Sequence, residues 1–193
     1  MPGPIVFLDI DDVLCLSLPV GGYDVIDAMS GARPDVADVL ERAFHPRCAD
    51  ALQEAHEALC AAGRQPTYII SSSWRRIFDR DTMARVFNGS RVPFVSECLA
   101  PGDAWCTPVL SDSDVRATEI SLWMQANGHL MDSFIILDDQ YSGGSLVSIA
   151  EDDYHPWWGR VLICKEHVGL QGKHAGAIVA TLKALYVAPT KSA

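Results

Sequence analysis

The chain predicts an α/β fold: a three-layer α/β/α, Rossmann-like core on a mostly parallel five-stranded sheet, with minimal or no cap. Three observations carry that prediction. Short apolar runs stop abruptly at acids or serines, as in Ile5-Val6-Phe7-Leu8 before Asp9, Thr67-Tyr68-Ile69-Ile70 before Ser71, and Phe134-Ile135-Ile136-Leu137 before Asp138. Runs of that length, apolar on both faces, suit strands buried in a parallel sheet. Segments with helical spacing lie between them, in the alternation that parallel sheets require.

Each element has its own signal. Strand one is expected over residues 4–9. Residues 17–34 are rich in Gly, Pro and Ser and read as loop with at most a short hairpin. A short helix is expected over 35–44. A longer one starts at Pro46, which suits a first helical turn, and buries Leu52, Ala55 and Leu59 on one face before Gly63 ends it. Strand two is 67–70. A helix near 79–87 stops at Asn88-Gly89, and Val92–Val95 reads as a third strand. Segment 98–114 is irregular, with Pro101 and Pro108. The next helix spans 114–126 and buries Ile120, Trp123 and Met124, with Asn127-Gly128 as terminator. Strand four is 133–137, 140–158 is a long loop, strand five is 160–164, and a helix over 175–186 closes the fold.

A length of 193 residues suggests one domain, 1–193. The 49% hydrophobic share is enough to build a proper core. A net charge of −10 disfavours broad nucleic-acid binding, which needs a basic face, but leaves room for a small phosphorylated group. Six cysteines without a CxxC pair read as reduced thiols of a cytosolic protein. The six histidines show no HExxH or HxH spacing, which argues against zinc. The apolar stretch before Asp9 is too short for a signal peptide core, and no stretch approaches a membrane span. The protein is therefore expected to be soluble and cytoplasmic, with no membrane partner.

The chemistry concentrates in two acid pairs. Asp9 and Asp11 follow strand one; Asp138 and Asp139 follow strand four. Ligands of open α/β sheets bind at the carboxyl ends of the strands, so both pairs are expected on one edge. Carboxylates gathered there repel one another. A hard divalent ion held by oxygens resolves the conflict, and Mg²⁺ or Mn²⁺ fits such ligands better than zinc. Asp9 is placed to attack a phosphoryl group and form an aspartyl-phosphate. Asp11 is placed to protonate the leaving oxygen and then activate water. Asp138 is expected to bind metal directly, while Asp139 either ligates or holds metal-bound water. Ser71 is expected to donate its hydroxyl and backbone N–H to phosphoryl oxygens; Ser72 is the other candidate in the Ser71-Ser72-Ser73 run. Arg75 and Arg76 either reach substrate phosphate or pair with the acids at 79 and 81. Asp12 either tunes the metal environment or caps the loop. Trp105, Tyr141, Tyr154, Trp157 and Trp158 either stack a nucleobase or belong to the core and its edge.

These residues give the chain a family likeness. It resembles the haloacid-dehalogenase-like (HAD) phosphohydrolase superfamily through Asp9-Ile10-Asp11, the strand ending in Ser71, a basic residue ahead of strand four, and Asp138-Asp139. Phe44-His45-Pro46, Ser71-Ser72-Ser73-Trp74-Arg75, Arg116-Ala117-Thr118-Glu119-Ile120 with Trp123, Leu137-Asp138-Asp139 and Gly169-Leu170 are similar to a small capless branch that includes HAD domains of bacterial RNA-repair proteins. The resemblance implies Mg²⁺ as cofactor, held by the Asp9 side chain and the Asp11 backbone carbonyl together with the second acid pair. It also implies Ser71 rather than Ser72 as the phosphate-binding serine. Arg116 would occupy the position of the basic residue that stabilises the aspartyl-phosphate.

Neither the interval from Asp12 to Pro46 nor that from Ser71 to Arg116 holds a full cap. An open site suits a phosphate on a large molecule; alternatively, a second subunit closes it. The expected function is a Mg²⁺-dependent phosphomonoesterase acting on a nucleotide or nucleic-acid terminus. The alternatives are a non-catalytic phosphate-binding module and a phosphotransferase using the same site. Asp11 favours phosphoryl chemistry over halide removal, because an ester oxygen needs a second acid.

Overall fold

The computed structural model describes residues 3–111, 115–128 and 133–184. Four parallel strands form the sheet: β1 (Ile5–Leu8), β2 (Thr67–Ile70), β3 (Phe134–Asp139) and β4 (Val161–Cys164), in the order β2-β1-β3-β4. Eight α-helices surround it among the described residues. They are α1 (Gly22–Met29), α2 (Val36–Arg42), α3 (Pro46–Ala61), α4 (Arg80–Gly89), α5 (Phe94–Glu97), α6 (Arg116–Ala126), α7 (Gly144–Glu151) and α8 (Gly172–Ala184).

Alternation along the strands builds two apolar layers. Val6 and Leu8 of β1, Tyr68 and Ile70 of β2 and Ile135 and Leu137 of β3 join a core with α1–α4 and α8. Ile5, Phe7, Ile69, Phe134 and Ile136 face the other way, onto Ile120, Trp123 and Met124 of α6, Leu146 of α7, and Trp157. Successive side chains of a strand point to opposite faces. Helices on both faces therefore require strands apolar at every position, which is the run seen in the sequence. The three-layer α/β/α architecture follows.

The sheet has four strands rather than five. Val92–Val95 is a turn leading into α5, with Pro93 in the αR region as N-cap. Proline cannot donate to a ladder, and its fixed φ suits the start of a helical turn. The β2 edge that a fifth strand would occupy is covered by irregular chain. Tyr68 N–H donates to the Cys98 carbonyl at 2.8 Å, and Ala100 and Thr107 donate back to Tyr68 and Ile70 at 3.1 and 3.0 Å. Such cover removes the exposed edge without adding a strand.

Two expected loops contain helices. Within 17–34, α1 starts where Gly21 N–H donates to the Asp24 carboxylate at 2.9 Å, and it buries Val25 and Ala28, three residues apart. Within 140–158, α7 opens on glycine and buries Leu146. The α6 helix begins at Arg116; the expected start at Asp114 lies outside the described residues, as does the end of the 175–186 helix. No helix among the described residues is long and apolar enough to cross a membrane. All six cysteines are free thiols.

Candidate active site

Sheet register assembles the site. Leu8 lies opposite Ile70 on one side and Leu137 on the other. One residue further along, Asp9 falls between Ser71 and Asp138. Two backbone bonds fix that step: Asp9 N–H donates to the Leu137 carbonyl and Ser71 N–H to the Leu8 carbonyl, both at 2.9 Å. β3 runs two residues beyond its expected end, so Asp138 and Asp139 are strand residues opposite Ile163 and Cys164. The acids are thus held by the sheet rather than by a loose turn.

Asp9, Asp138 and Asp139 are buried, and each offers an oxygen within 4.8 Å of the others. Burial pushes the Asp9 carboxyl well above its usual range, and the neighbouring Asp138 charge pushes it further; Arg116 partly offsets both. Asp138 is pushed up to about 7, again mainly by burial, with Arg116 opposing and Asp139 adding. Arg116 lies across the cluster, its guanidinium 3.6 Å from Asp9 Oδ1 and 3.2 Å from Asp138 Oδ2. Burial alone would lower the Arg116 pKa, but Asp138 and Asp9 outweigh it and raise it. One guanidinium against three carboxylates leaves two negative charges uncompensated when all are ionised.

The donor set fits a divalent cation. Asp138 Oδ2 is buried without a hydrogen bond, because the nearby Arg116 Nε–H does not point at it. The Ser142 hydroxyl touches Asp139 Oδ2 and lies 3.1 Å from Asp138 Oδ1 and 3.2 Å from Asp9 Oδ2. A hydroxyl has one hydrogen, so it can serve only one of these three acceptors. Buried anionic oxygens with too few donors are what a hard cation satisfies. Backbone N–H groups of Tyr141 and Ser142 hold Asp139 Oδ1 at 2.5 and 3.1 Å, fixing the side chain. Gly143 closes the turn: a Cβ there would fall 2.8 Å from Asp138 Oδ1 and 2.5 Å from the Asp139 carbonyl. Neither Ser142 nor Gly143 stood out in the sequence; the only signal was the Ser-Gly-Gly turn after the acids.

Asp11 projects from the loop after β1. Both its oxygens accept the Trp74 indole N–H at 3.0 Å, and the Ser73 hydroxyl donates to Oδ2 at 3.3 Å. Burial raises its pKa, while these two donors pull it down. Ser71 and Ser72 separate into different roles. The Ser71 hydroxyl lies 3.4 Å from an Arg116 nitrogen that also donates to the Ser71 carbonyl. The Ser72 hydroxyl accepts from Trp74 N–H at 3.4 Å and caps a 3-10 turn, Ser73–Arg76. The expected backbone donor of Ser71 is a correction: that N–H belongs to the sheet ladder, since strand β2 is still paired there.

Arg75 is buried in the fold. Its guanidinium pairs with Glu119 and donates to the carbonyls of Ser72, Thr107 and Pro108. Arg76 donates to the Leu110 carbonyl at 2.9 Å. Neither arginine pairs with the acids at 79 and 81; Asp79 instead caps α4 through Thr82 N–H at 2.8 Å. Asp12 adopts a left-handed φ of 52° and accepts His167 N–H at 2.8 Å, tying the loop after β1 to the segment after β4. Trp105 and Trp157 are buried, whereas Tyr141, Tyr154 and Trp158 are exposed.

A family model described as "HAD domain in Swiss Army Knife RNA repair proteins" matches residues 5–175. No curated protein and no solved structure matches the chain. The match takes in β1 with its aspartates, the serine turn, Arg116 and the second acid pair, so the chain belongs to the HAD domains of Swiss Army Knife RNA repair proteins, and its membership of the HAD superfamily supports a phosphohydrolase-type enzyme.

Proposed function

We propose that the chain is a Mg²⁺-dependent phosphomonoesterase that works through an aspartyl-phosphate on Asp9, with a nucleotide or nucleic-acid terminal phosphate as substrate. One observation carries the reading. Asp9 sits at the end of the central strand pair between Ser71 and Asp138, with Arg116 bridging all three.

Asp9, Asp138, Asp139 and the Asp11 backbone carbonyl would hold Mg²⁺. The bound ion supplies charge neutralisation at the phosphoryl oxygens. In the first step an Asp9 carboxylate oxygen bonds to phosphorus. The ester O–P bond breaks, and Asp11 gives its proton to the departing oxygen. In the second step a water oxygen bonds to phosphorus, the Asp9 O–P bond breaks, and the water proton passes to Asp11. Arg116 and the Ser71 hydroxyl, close to each other and to Asp9, would offset the charge that spreads onto the phosphoryl oxygens. Arg75 supports this set from behind by tying the serine turn to α6 through Glu119.

The substrate class rests on access and family. Only α1 and α2, with eight and seven residues, stand between the nucleophile loop and α3. No separate cap domain covers the site among the described residues, and an uncapped site suits a phosphate carried on a large molecule. The family's place in RNA repair proteins points the same way.

Phosphate release from an aryl phosphate and from end-phosphorylated oligonucleotides, with and without Mg²⁺, tests the reading. Turnover should need the ion, vanish in Asp9→Asn, and leave a phosphorylated Asp9 when the second step is slowed. Unchanged turnover in Asp9→Asn would refute the mechanism.

A further inference from the structure

The acid–base aspartate of that reaction has an aromatic support. The Trp74 indole N–H is shared between Oδ1 and Oδ2 of Asp11, at 3.0 Å to each, so it faces the whole carboxylate rather than one corner. The indole is fixed in turn. It is 2% exposed and packs against Phe44 at 6.3 Å and edge-on against Phe78 at 5.9 Å. Gly22, in the first turn of α1, closes the other side: a Cβ there would sit 3.3 Å from the Trp74 ring and 3.3 Å from Asp11 Oδ1. The Trp74 backbone N–H reaches the Ser72 hydroxyl at 3.4 Å, and Ser73 adds its own hydroxyl to Asp11 Oδ2.

The register explains why these groups meet. Leu8 pairs with Ile70, so Asp9 and Ser71 leave the sheet side by side and Asp11 runs alongside Ser73 and Trp74. One turn after β2 therefore carries both the Ser71 hydroxyl beside Arg116 and the donors to Asp11. A short carboxylate on a loop otherwise has several staggered positions, and most would carry its oxygens away from the leaving group. Misplacing a reacting group by about 1 Å can cost about a hundredfold in rate.

We propose that Trp74 is a positioning residue for proton transfer: its indole N–H, locked by Phe44, Phe78 and Gly22, holds the Asp11 carboxylate in one orientation on the loop after Asp9. The inference rests on the phosphomonoesterase reading above. It assigns Trp74 no contact with substrate. Its effect runs through Asp11 and grows with the proton demand of each step.

That dependence makes the test. An alkyl phosphate, with a strongly basic leaving oxygen, needs the Asp11 proton; dinitrophenyl phosphate does not. Trp74→Phe removes the N–H, and replacement of Trp74 by benzothienylalanine removes it while keeping the ring shape. In both variants kcat/KM for the alkyl ester should fall about tenfold to a hundredfold, and that for dinitrophenyl phosphate much less. Since Asp11 also activates water, the second step should slow, giving a burst of dinitrophenol and phosphorylated Asp9 visible by intact mass. An equal fall with both esters, or no fall with the alkyl ester in the benzothienyl variant, overturns the assignment of Trp74 alone. A wild-type protein that turns over neither ester overturns the phosphomonoesterase reading, and this inference with it.

Discussion

Asp9 and Asp138 stand side by side at the ends of two adjacent parallel strands, both buried, with the Arg116 guanidinium 3.6 Å from one and 3.2 Å from the other. Two like charges in an apolar surround raise each other's pKa, and a single cation does not cancel them. The site is therefore electrostatically costly without a metal, and its cost depends on pH.

The sign of that dependence follows from the shift. Asp138 is raised to about 7 from an unfolded value of 3.8, and Asp9 moves the same way. Between those values the folded protein binds more protons than the unfolded chain. Its contribution is fully present below the unfolded value and is lost as pH rises toward 7. The metal-free protein should lose stability over that window, on the order of a few kcal/mol. His56 and His174, both half-buried, have lowered pKa values and act in the opposite direction, so Asp138→Asn is the proper reference. Urea unfolding in chelator should show wild type falling relative to Asp138→Asn as pH rises from about 4 to 7. Mg²⁺ should stabilise wild type more above the window than below it.

Asp9→Asn makes a second prediction. It removes the nucleophile and also one buried charge beside Asp138. Activity should be lost while the metal-free protein becomes more stable near neutral pH, by about 1–3 kcal/mol. Thermal melts in chelator check this; a less stable variant would show that Arg116 already neutralises the pair.

Much of this site was legible in the sequence because parallel register is a local rule. Once Leu8, Ile70 and Leu137 are read as strand ends, Asp9, Ser71 and Asp138 must converge. Val92–Val95 reads as a third strand because it has strand composition, and only the lost donor of Pro93 argues otherwise. Helices α1 and α7 were hidden by glycine-rich starts, although Val25/Ala28 and Leu146/Ile149 kept helical spacing. Arg75 illustrates a deeper limit. An arginine after a phosphate-binding serine reads as a substrate ligand, yet its partner Glu119 lies 44 residues away, and no local pattern reveals such a pair.

Glu119→Ala tests that pair. Both partners are buried, so removing the carboxylate leaves the Arg75 guanidinium uncompensated, whereas the intact pair contributes little net stability. Denaturant unfolding should show a loss of about 3–5 kcal/mol. Replacing both residues with apolar side chains of similar volume should recover only part of it, because the carbonyls of Ser72, Thr107 and Pro108 and the Leu110 N–H then lose their partners.

Gly143→Ala addresses the metal end of the site. The new Cβ would lie 2.5 Å from the Asp139 carbonyl, 2.8 Å from Asp138 Oδ1 and 3.0 Å from Asp138 Cγ. Backbone and a strand-held carboxylate are poor at yielding, so Asp138 must rotate or the turn carrying Ser142 must lift. Overpacking of this kind costs about 1–3 kcal/mol of stability. The larger effect should fall on cation binding, because Asp138 Oδ1 also meets Ser142 and the Asp139 backbone N–H. Mn²⁺ affinity, measured by calorimetry or by the relaxation of bulk water, should weaken by at least about tenfold. Unchanged Mn²⁺ affinity in a folded Gly143→Ala protein would mean that the close packing of this turn on Asp138 does not set cation binding.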